Sequence, residues 1–195
     1  MRLLLHTCCA VCLAGVTGKL RERQIDFTAC FINPNVHPLL EFRRRLKATQ
    51  VFCEREGVPL EIDATYGLVD FLRAVVNHET APERCEICYR DRLGRTAARA
   101  KTLGFDAFST TLLASAEQDL DLVRRLASEV SSETGLAFMD ADWRDTHDAA
   151  KDIARRMSLY RQQYCGCIYS EYDRYKDTAK HLYRGGTERP SGSTG

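Results

Sequence analysis

The sequence lacks the features that would mark a membrane protein, a nucleotide-binding enzyme or a strongly charged nucleic-acid-binding protein. No stretch approaches the roughly 20 consecutive apolar residues that a membrane-spanning helix requires. Neither a GxxxxGK[ST] loop nor a GxGxxG turn is present, so ATP, NAD and FAD are disfavoured as cofactors. The formal net charge is only +1, which provides no global attraction for nucleic acid. We therefore expect no membrane partner and no nucleotide cofactor.

The apolar run near the amino-terminal end is too short for a secretory signal. It covers residues 3–5, and cysteines follow at residues 8 and 9. The odd total of nine cysteines fits a disulfide scaffold poorly. Clustered cysteines in a reducing compartment more often bind metal. The expected location is therefore cytoplasmic.

What the sequence does contain is a grouping of thiols. Seven of the nine cysteines fall in three short groups, namely CCAVC at residues 8–12, CEIC at residues 85–88 and CGC at residues 165–167. Short spacers let neighbouring sulfurs face one metal, provided that the fold brings the groups together. Seven thiols exceed the four that one zinc ion or one [4Fe-4S] cluster requires. This surplus predicts a reactive centre, or a cluster with a second redox-active or metal-binding group beside it.

The cysteine spacings leave three kinds of centre open. The zinc-ribbon pattern of two CxxC pairs about 15–20 residues apart is absent, and so is the bacterial ferredoxin run. An iron–sulfur centre assembled across the fold is favoured. The alternatives are a zinc-stabilised binding module for RNA or protein and a metal-free thiol oxidoreductase with a Cys165–Cys167 disulfide. Cys30 and Cys53 lie outside the groups and are expected to be buried apolar side chains.

Alternating strand and helix patterns predict a single α/β domain over residues 1–184, with a mainly parallel sheet and C-terminal helices. Strands are predicted at residues 2–7, 26–32, 60–63, 105–113 and 136–140. Helices are predicted at residues 12–23, 39–56, 68–77, 119–133, 147–159 and 171–182, and a further helix ends near residue 103 after a loop that carries Cys85 and Cys88. Residues 185–195 are rich in Gly, Ser, Thr and Pro and are expected to form a disordered tail.

The predicted sheet places the candidate functional residues at one edge, where the strands end. Ligands of open parallel sheets bind outside the carboxyl ends of the strands. Cys8 and Cys9, residues 33–37, and Thr110 with Thr111 all lie at or near such ends. Basic residues are grouped at residues 43–47 and 90–101, which is typical of solvated helix faces. Because both groups lie close to cysteine motifs, the alternative interpretation is that they bind phosphate.

Four motifs together resemble the QueH-type epoxyqueuosine reductases. They are HTCCAVC at residues 6–12, FINPNVHP at residues 31–38, CEICYRDR at residues 85–92 and YCGC at residues 164–167, and the resemblance covers about residues 2–183. It implies a HUP-like (Rossmann-like) fold, a [4Fe-4S] cluster and an additional mononuclear iron. It also implies the last, cobalamin-independent step of queuosine biosynthesis, in which epoxyqueuosine at the wobble position of the tRNA anticodon loop is deoxygenated with electrons from an external donor.

The resemblance makes the grouped cysteines metal ligands. Under it, Cys9, Cys12, Cys85 and Cys88 would hold the cubane. The catalytic set beside the second iron would be Cys8, Cys165 and Cys167. In that family the position of Cys12 is also occupied by aspartate.

The resemblance also suggests residues that bind the substrate. The candidates are Asn33, Asn35, His37, Glu41, Arg44, Tyr89, Arg90 and Arg92. The arginines are expected to contact tRNA phosphates, and a splayed wobble base would stack on Tyr89 or Tyr160. Proton-donor candidates are Tyr89, His37 and Tyr164. For the two asparagines, ordinary turn formation explains their presence equally well.

Overall fold

The computed structural model describes residues 1–179 and contains one five-stranded parallel sheet. Its strands are β1 (Arg2–His6), β2 (Asp26–Ile32), β3 (Leu60–Asp63), β4 (Ala107–Thr110) and β5 (Ala137–Phe138). The strand order is β3-β2-β1-β4-β5, and every neighbouring pair is parallel. The order reverses between β1 and β4, so the ligand crevice of such a sheet is expected at their carboxyl ends.

Within residues 1–179, seven α-helices connect and follow the strands. They are α1 (Ala10–Glu22), α2 (Leu39–Glu56), α3 (Leu68–Ala74), α4 (Glu83–Thr102), α5 (Leu120–Thr134), α6 (His147–Arg156) and α7 (Ile168–Tyr175). Short 3₁₀ helices cover Thr111–Ala114 and Arg144–Thr146. The predicted α/β fold with a parallel sheet is confirmed and is Rossmann-like.

The core forms where the sheet is covered by helices. Leu3, Leu4 and Leu5 of β1 are all fully buried, although successive strand residues point to opposite faces. Burial on both faces is typical of a central parallel strand. Leu122, Leu126 and Val130, which share one face of α5, are also buried. Cys30 and Cys53 are buried as expected.

Local differences from the predicted elements have simple causes. Cys85 and Cys88 lie on α4 and not in a loop, because the helix begins directly after Pro82, whose carbonyl accepts a hydrogen bond from the Glu86 amide. The strand predicted at residues 105–113 ends at Thr110, whose hydroxyl accepts from the Leu112 amide and starts a 3₁₀ turn.

The disordered tail predicted for residues 185–195 lies outside the described residues, and the single domain predicted for residues 1–184 stays a prediction. The last helix, predicted for residues 171–182, begins earlier, at Ile168. Within residues 1–179, no helix combines the length and apolar character needed to cross a membrane.

Candidate metal centre

The first cysteine group lies at the carboxyl end of β1, where the strand order reverses. Cys9 caps α1, since its Sγ accepts a hydrogen bond from the Cys12 amide at 3.4 Å. The sulfur atoms of Cys8, Cys9 and Cys12 all lie within 4.8 Å of one another. Thr111, just after β4, donates its hydroxyl to Cys8 Sγ at 3.4 Å. We call these three cysteines the three-thiol group.

The thiols of the three-thiol group differ in pKa. Hydrogen bonds from Cys12 and Cys9 hold the pKa of the Cys8 thiol well below its usual value. Hydrogen bonding to Cys8 raises the pKa of Cys12 well above its usual value. A bound cation would stabilise the thiolate form of all three sulfurs, because it favours the charged state of each.

The second and third cysteine groups lie near enough to interact electrostatically. Cys85 and Cys88 lie at the start of α4, whereas Cys165 and Cys167 lie in the segment before α7. Burial raises the pKa of the Cys88 thiol, and nearby Cys165 and Cys167 add to that effect. Burial also raises the pKa of Cys85, with Cys165 as the next cause. We call these four cysteines the four-thiol group.

Amide side chains contact sulfurs of both groups. Asn35, predicted to bind the substrate, donates to Cys88 Sγ at 3.2 Å. Gln118 donates to Cys165 Sγ at 3.2 Å, and Gln162 donates to Cys9 Sγ at 2.9 Å. Neither glutamine stands out in the sequence, because neither belongs to a cysteine motif and only tertiary packing brings them to the sulfurs.

The segment that carries the third cysteine group is held against the sheet edge by its backbone. The Gly166 carbonyl accepts from the His37 amide at 2.7 Å. Arg45 donates to the carbonyls of Cys165 at 2.7 Å and Tyr164 at 2.9 Å. The Tyr164 hydroxyl donates to the His37 carbonyl at 2.6 Å. These bonds fix Cys165 and Cys167 beside α4.

A buried ion pair supports this segment and changes the expected role of Glu41. Arg45 Nε lies 2.7 Å from Glu41 Oε1, and both side chains are at most 5% exposed. The Tyr160 hydroxyl donates to the other carboxylate oxygen of Glu41. Glu41, expected at the substrate rim, is thus engaged by Arg45 and Tyr160. The expectation that residues 43–47 form a wholly solvated face is wrong for Arg45, although Arg43 and Arg44 are exposed.

Arg92 lies inside the site and not on its surface. Its side chain is 1% exposed, and Nε donates to Asn35 Oδ1 at 2.5 Å. Burial of Arg92 contradicts the expected contact with a tRNA phosphate from a solvated face. The partly exposed Arg90 forms ion pairs with Glu129 and Glu133.

Two other expected substrate residues have defined partners. Asn33 donates to the Thr7 carbonyl at 2.9 Å, so it joins the ends of β2 and β1. The Tyr89 hydroxyl donates to Gln118 Oε1 at 2.8 Å, and burial raises the pKa of that phenol. Arg44 is exposed and lies over the Tyr160 ring at 5.8 Å.

His37 is enclosed by aromatic rings. Its ring centroid lies 5.6 Å from that of Tyr66 and 5.2 Å from that of Phe71. Neither ring nitrogen has a hydrogen-bond partner, although the side chain is fully buried. Burial, with a further contribution from the charge on Arg92, lowers the pKa of His37 to about 4. The imidazole is therefore neutral at physiological pH and retains an unpartnered N–H.

The donor set fits a metal–thiolate centre. Arg92 Nη2 is buried without a hydrogen-bond partner, and no carboxylate within residues 1–179 forms an ion pair with Arg92. A buried cation requires a nearby anion. Thiolates bound to a metal supply that anion, since metal binding displaces the protons that the raised pKa values would otherwise retain.

Fold and site together define a class of protein: a Rossmann-like α/β protein with a thiol-rich candidate metal centre at the carboxyl edge of its sheet. The family model described as "Epoxyqueuosine reductase QueH" matches residues 3–173, and the chain belongs to this family of oxidoreductases.

Similar proteins that carry this name span almost the whole chain. The epoxyqueuosine reductase QueH of Dehalococcoides mccartyi is 36% identical, with 89% of this chain and 94% of the relative covered. The corresponding protein of Histophilus somni is 33% identical, with 90% and 74% covered. That of Thermotoga maritima is 28% identical, with 91% and 94% covered. The chain is thus an enzyme, and the resemblance inferred from four motifs is confirmed.

Proposed function

We propose that this chain reduces epoxyqueuosine to queuosine at the wobble position of tRNA. The observation that carries the proposal is the convergence of three cysteine groups, remote in sequence, at one edge of the sheet in a chain of this family. The reaction removes the epoxide oxygen as water and consumes two electrons and two protons. An external donor supplies the electrons.

The grouping of the thiols supports a specific division of ligands. The four-thiol group, Cys85, Cys88, Cys165 and Cys167, would hold a [4Fe-4S] cluster, which requires four thiolates. The three-thiol group, Cys8, Cys9 and Cys12, would hold the additional iron with a position left open. When bound, such a pair of centres supplies electrons and a Lewis acid for the departing oxygen.

This division differs from the one expected from the resemblance. That expectation joined Cys9 and Cys12 to the second cysteine group, and Cys8 to the third. In the structure Cys8 lies with Cys9 and Cys12, whereas the charges of Cys165 and Cys167 contribute to the raised pKa values of Cys85 and Cys88. Cys165 and Cys167 would accordingly serve as cluster ligands, and Cys8 as a ligand of the reactive iron.

Among the three proton-donor candidates, His37 is the best placed to donate a hydrogen bond to the substrate. Tyr164 already donates its proton to a backbone carbonyl, and Tyr89 donates to Gln118. His37 has both ring nitrogens unpartnered, and its backbone bonds the segment that carries Cys165 and Cys167. The neutral ring would donate a hydrogen bond from its N–H to the substrate. Tyr89, oriented by Gln118, would line the substrate site.

The substrate would approach from the exposed rim near α2. Arg44 is exposed, and no carboxylate within residues 1–179 forms an ion pair with it, so its charge is available for a phosphate. The wobble base must leave the anticodon stack to reach a buried centre. Tyr160, beneath Arg44, would provide a stacking surface, while Asn33, Asn35 and Glu41 would shape the site.

Anaerobic turnover tests this function directly. Reconstituted protein is incubated with epoxyqueuosine-containing tRNA and dithionite, and the nucleosides are analysed by mass spectrometry. We expect loss of one oxygen from the modified base. Cys88→Ala should abolish the reaction, whereas Cys53→Ala, which alters a buried cysteine outside both groups, should retain it.

Other outcomes would favour the alternatives. One tightly bound zinc and no visible chromophore would favour a zinc-stabilised binding module. An iron-free protein with a reversible Cys165–Cys167 disulfide would favour a thiol oxidoreductase. In the structure all nine cysteines are free.

A further inference from the structure

Arg92 stands apart from the other buried arginines because it lacks an anionic partner in the protein. Arg45 pairs with Glu41, and Arg84 pairs with Asp173. Within residues 1–179, Arg92 has no carboxylate at ion-pair distance, and its hydrogen-bond partner is the neutral amide of Asn35. A guanidinium stays charged in proteins. Its burial therefore leaves one uncompensated positive charge inside the site.

That charge lies where it acts on both thiol groups. Arg92 interacts electrostatically with Cys88, Cys165 and Cys167 of the four-thiol group and with Cys8 of the three-thiol group. The corresponding interactions of Arg45 reach Cys8 and Cys9, and those of Arg84 reach Cys85 and Cys167. Among these buried arginines, Arg92 is thus the one that faces both groups without a neutralising carboxylate.

We propose that Arg92 is a positioning residue that sets the reduction potential of the iron–sulfur centre, because its uncompensated charge stabilises the reduced state. The inference rests on the proposed function, which places a cluster in the four-thiol group. One-electron reduction adds one negative charge to the cluster and breaks no bond to the protein. A fixed positive charge nearby favours that reduced state and raises the midpoint potential.

Charge-changing variants with a matched control test this role. Arg92→Gln removes the charge but keeps an amide that can bond Asn35, and Arg92→Lys keeps a positive charge. Arg95→Gln is the control, since Arg95 lies one turn along α4, is partly exposed and pairs with Asp91. The midpoint is measured anaerobically by EPR, with titanium(III) citrate donating one electron per cluster and iron quantified for each variant.

We expect Arg92→Gln to reduce the ratio of reduced to oxidised cluster at least tenfold at a fixed potential. For a one-electron couple this is a fall in midpoint of about 59 mV. Arg92→Lys should lie closer to the wild type than Arg92→Gln does, and Arg95→Gln should match the wild type. An Arg92→Gln protein with full iron content and an unchanged midpoint would overturn the proposal.

Thermal unfolding separates an electrostatic role from a merely structural one. In the reduced, metal-free protein, Arg92→Gln should melt at the wild-type temperature or above it, because the uncompensated buried charge is gone. With iron bound, the same variant should melt below the wild type. A lower melting temperature in the metal-free state would overturn the proposal, even if the variant takes up no iron. A wild-type protein without any cluster would overturn the proposed function as well. An unchanged midpoint potential in Arg92→Gln would overturn only the proposed role of Arg92.

Discussion

Gly166 shows how one residue determines the position of two cysteines. Its φ of 155° lies in the region that side chains rarely adopt. A Cβ added there would lie 3.2 Å from Val36 Cγ2 and 3.3 Å from Arg45 Nη1. The glycine between Cys165 and Cys167 is therefore required by backbone conformation and by close packing.

We expect Gly166→Ala to destabilise the metal-free protein by about 1–3 kcal/mol, because alanine must adopt a strained backbone or push its neighbours apart. Chemical denaturation followed by circular dichroism measures the change. Gly94→Ala is the matched control, since Gly94 lies within α4 and an added Cβ meets nothing within 4 Å. That substitution should stabilise the protein by about 0.5–1 kcal/mol. Equal effects of the two substitutions would disprove the strain at Gly166.

At the scale of elements, α2 holds the carboxyl-terminal segment in place. Its buried Glu41–Arg45 pair links the helix to the carbonyls of Tyr164 and Cys165. The carbonyls use both terminal guanidinium nitrogens, and Glu41 binds Nε. The helix thereby connects the fold to the third cysteine group.

Arg45→Met should destabilise the metal-free protein by about 3–5 kcal/mol, because it leaves Glu41 buried without a counter-charge. Arg21→Met, which removes an exposed pair with Glu56, should cost less than about 1 kcal/mol. Urea denaturation of both variants tests this difference. Similar losses in the two proteins would mean that the buried pair does not stabilise the fold as described.

The sequence predicts some elements better than others, and α2 and α4 show why. The sequence predicts α2 from its apolar face, and it predicts the end of the helix from Gly57. This glycine adopts the left-handed conformation that is common at helix ends. The burial of Arg45 does not follow, since a run of arginines normally indicates a solvated surface. For α4, the turn containing Cys85 and Cys88 offers little apolar periodicity, so local sequence does not reveal a helix there.

At the scale of the whole molecule, strand order brings the cysteines together. β1 is central, so Cys8 and Cys9 emerge beside the ends of β2 and β4. The alternation of strands and helices predicts this convergence at one edge. It does not predict which sulfurs are neighbours, because the approach of α4 to the segment before α7 depends on tertiary contacts made by Asn35, Arg45 and Gln118. The proposed division of the seven thiols therefore depends on tertiary contacts that the sequence does not reveal.

Mössbauer spectroscopy with iron quantification tests the central claim most directly, that seven remote thiols form two adjacent metal-binding groups. The anaerobically reconstituted wild type should contain about five irons per chain, of which about four belong to the cluster. Replacing Cys8, Cys9 and Cys12 together by alanine should remove only the additional iron and leave the cluster spectrum intact. Loss of the cluster spectrum from that triple variant, or an iron-free wild type, would contradict the account.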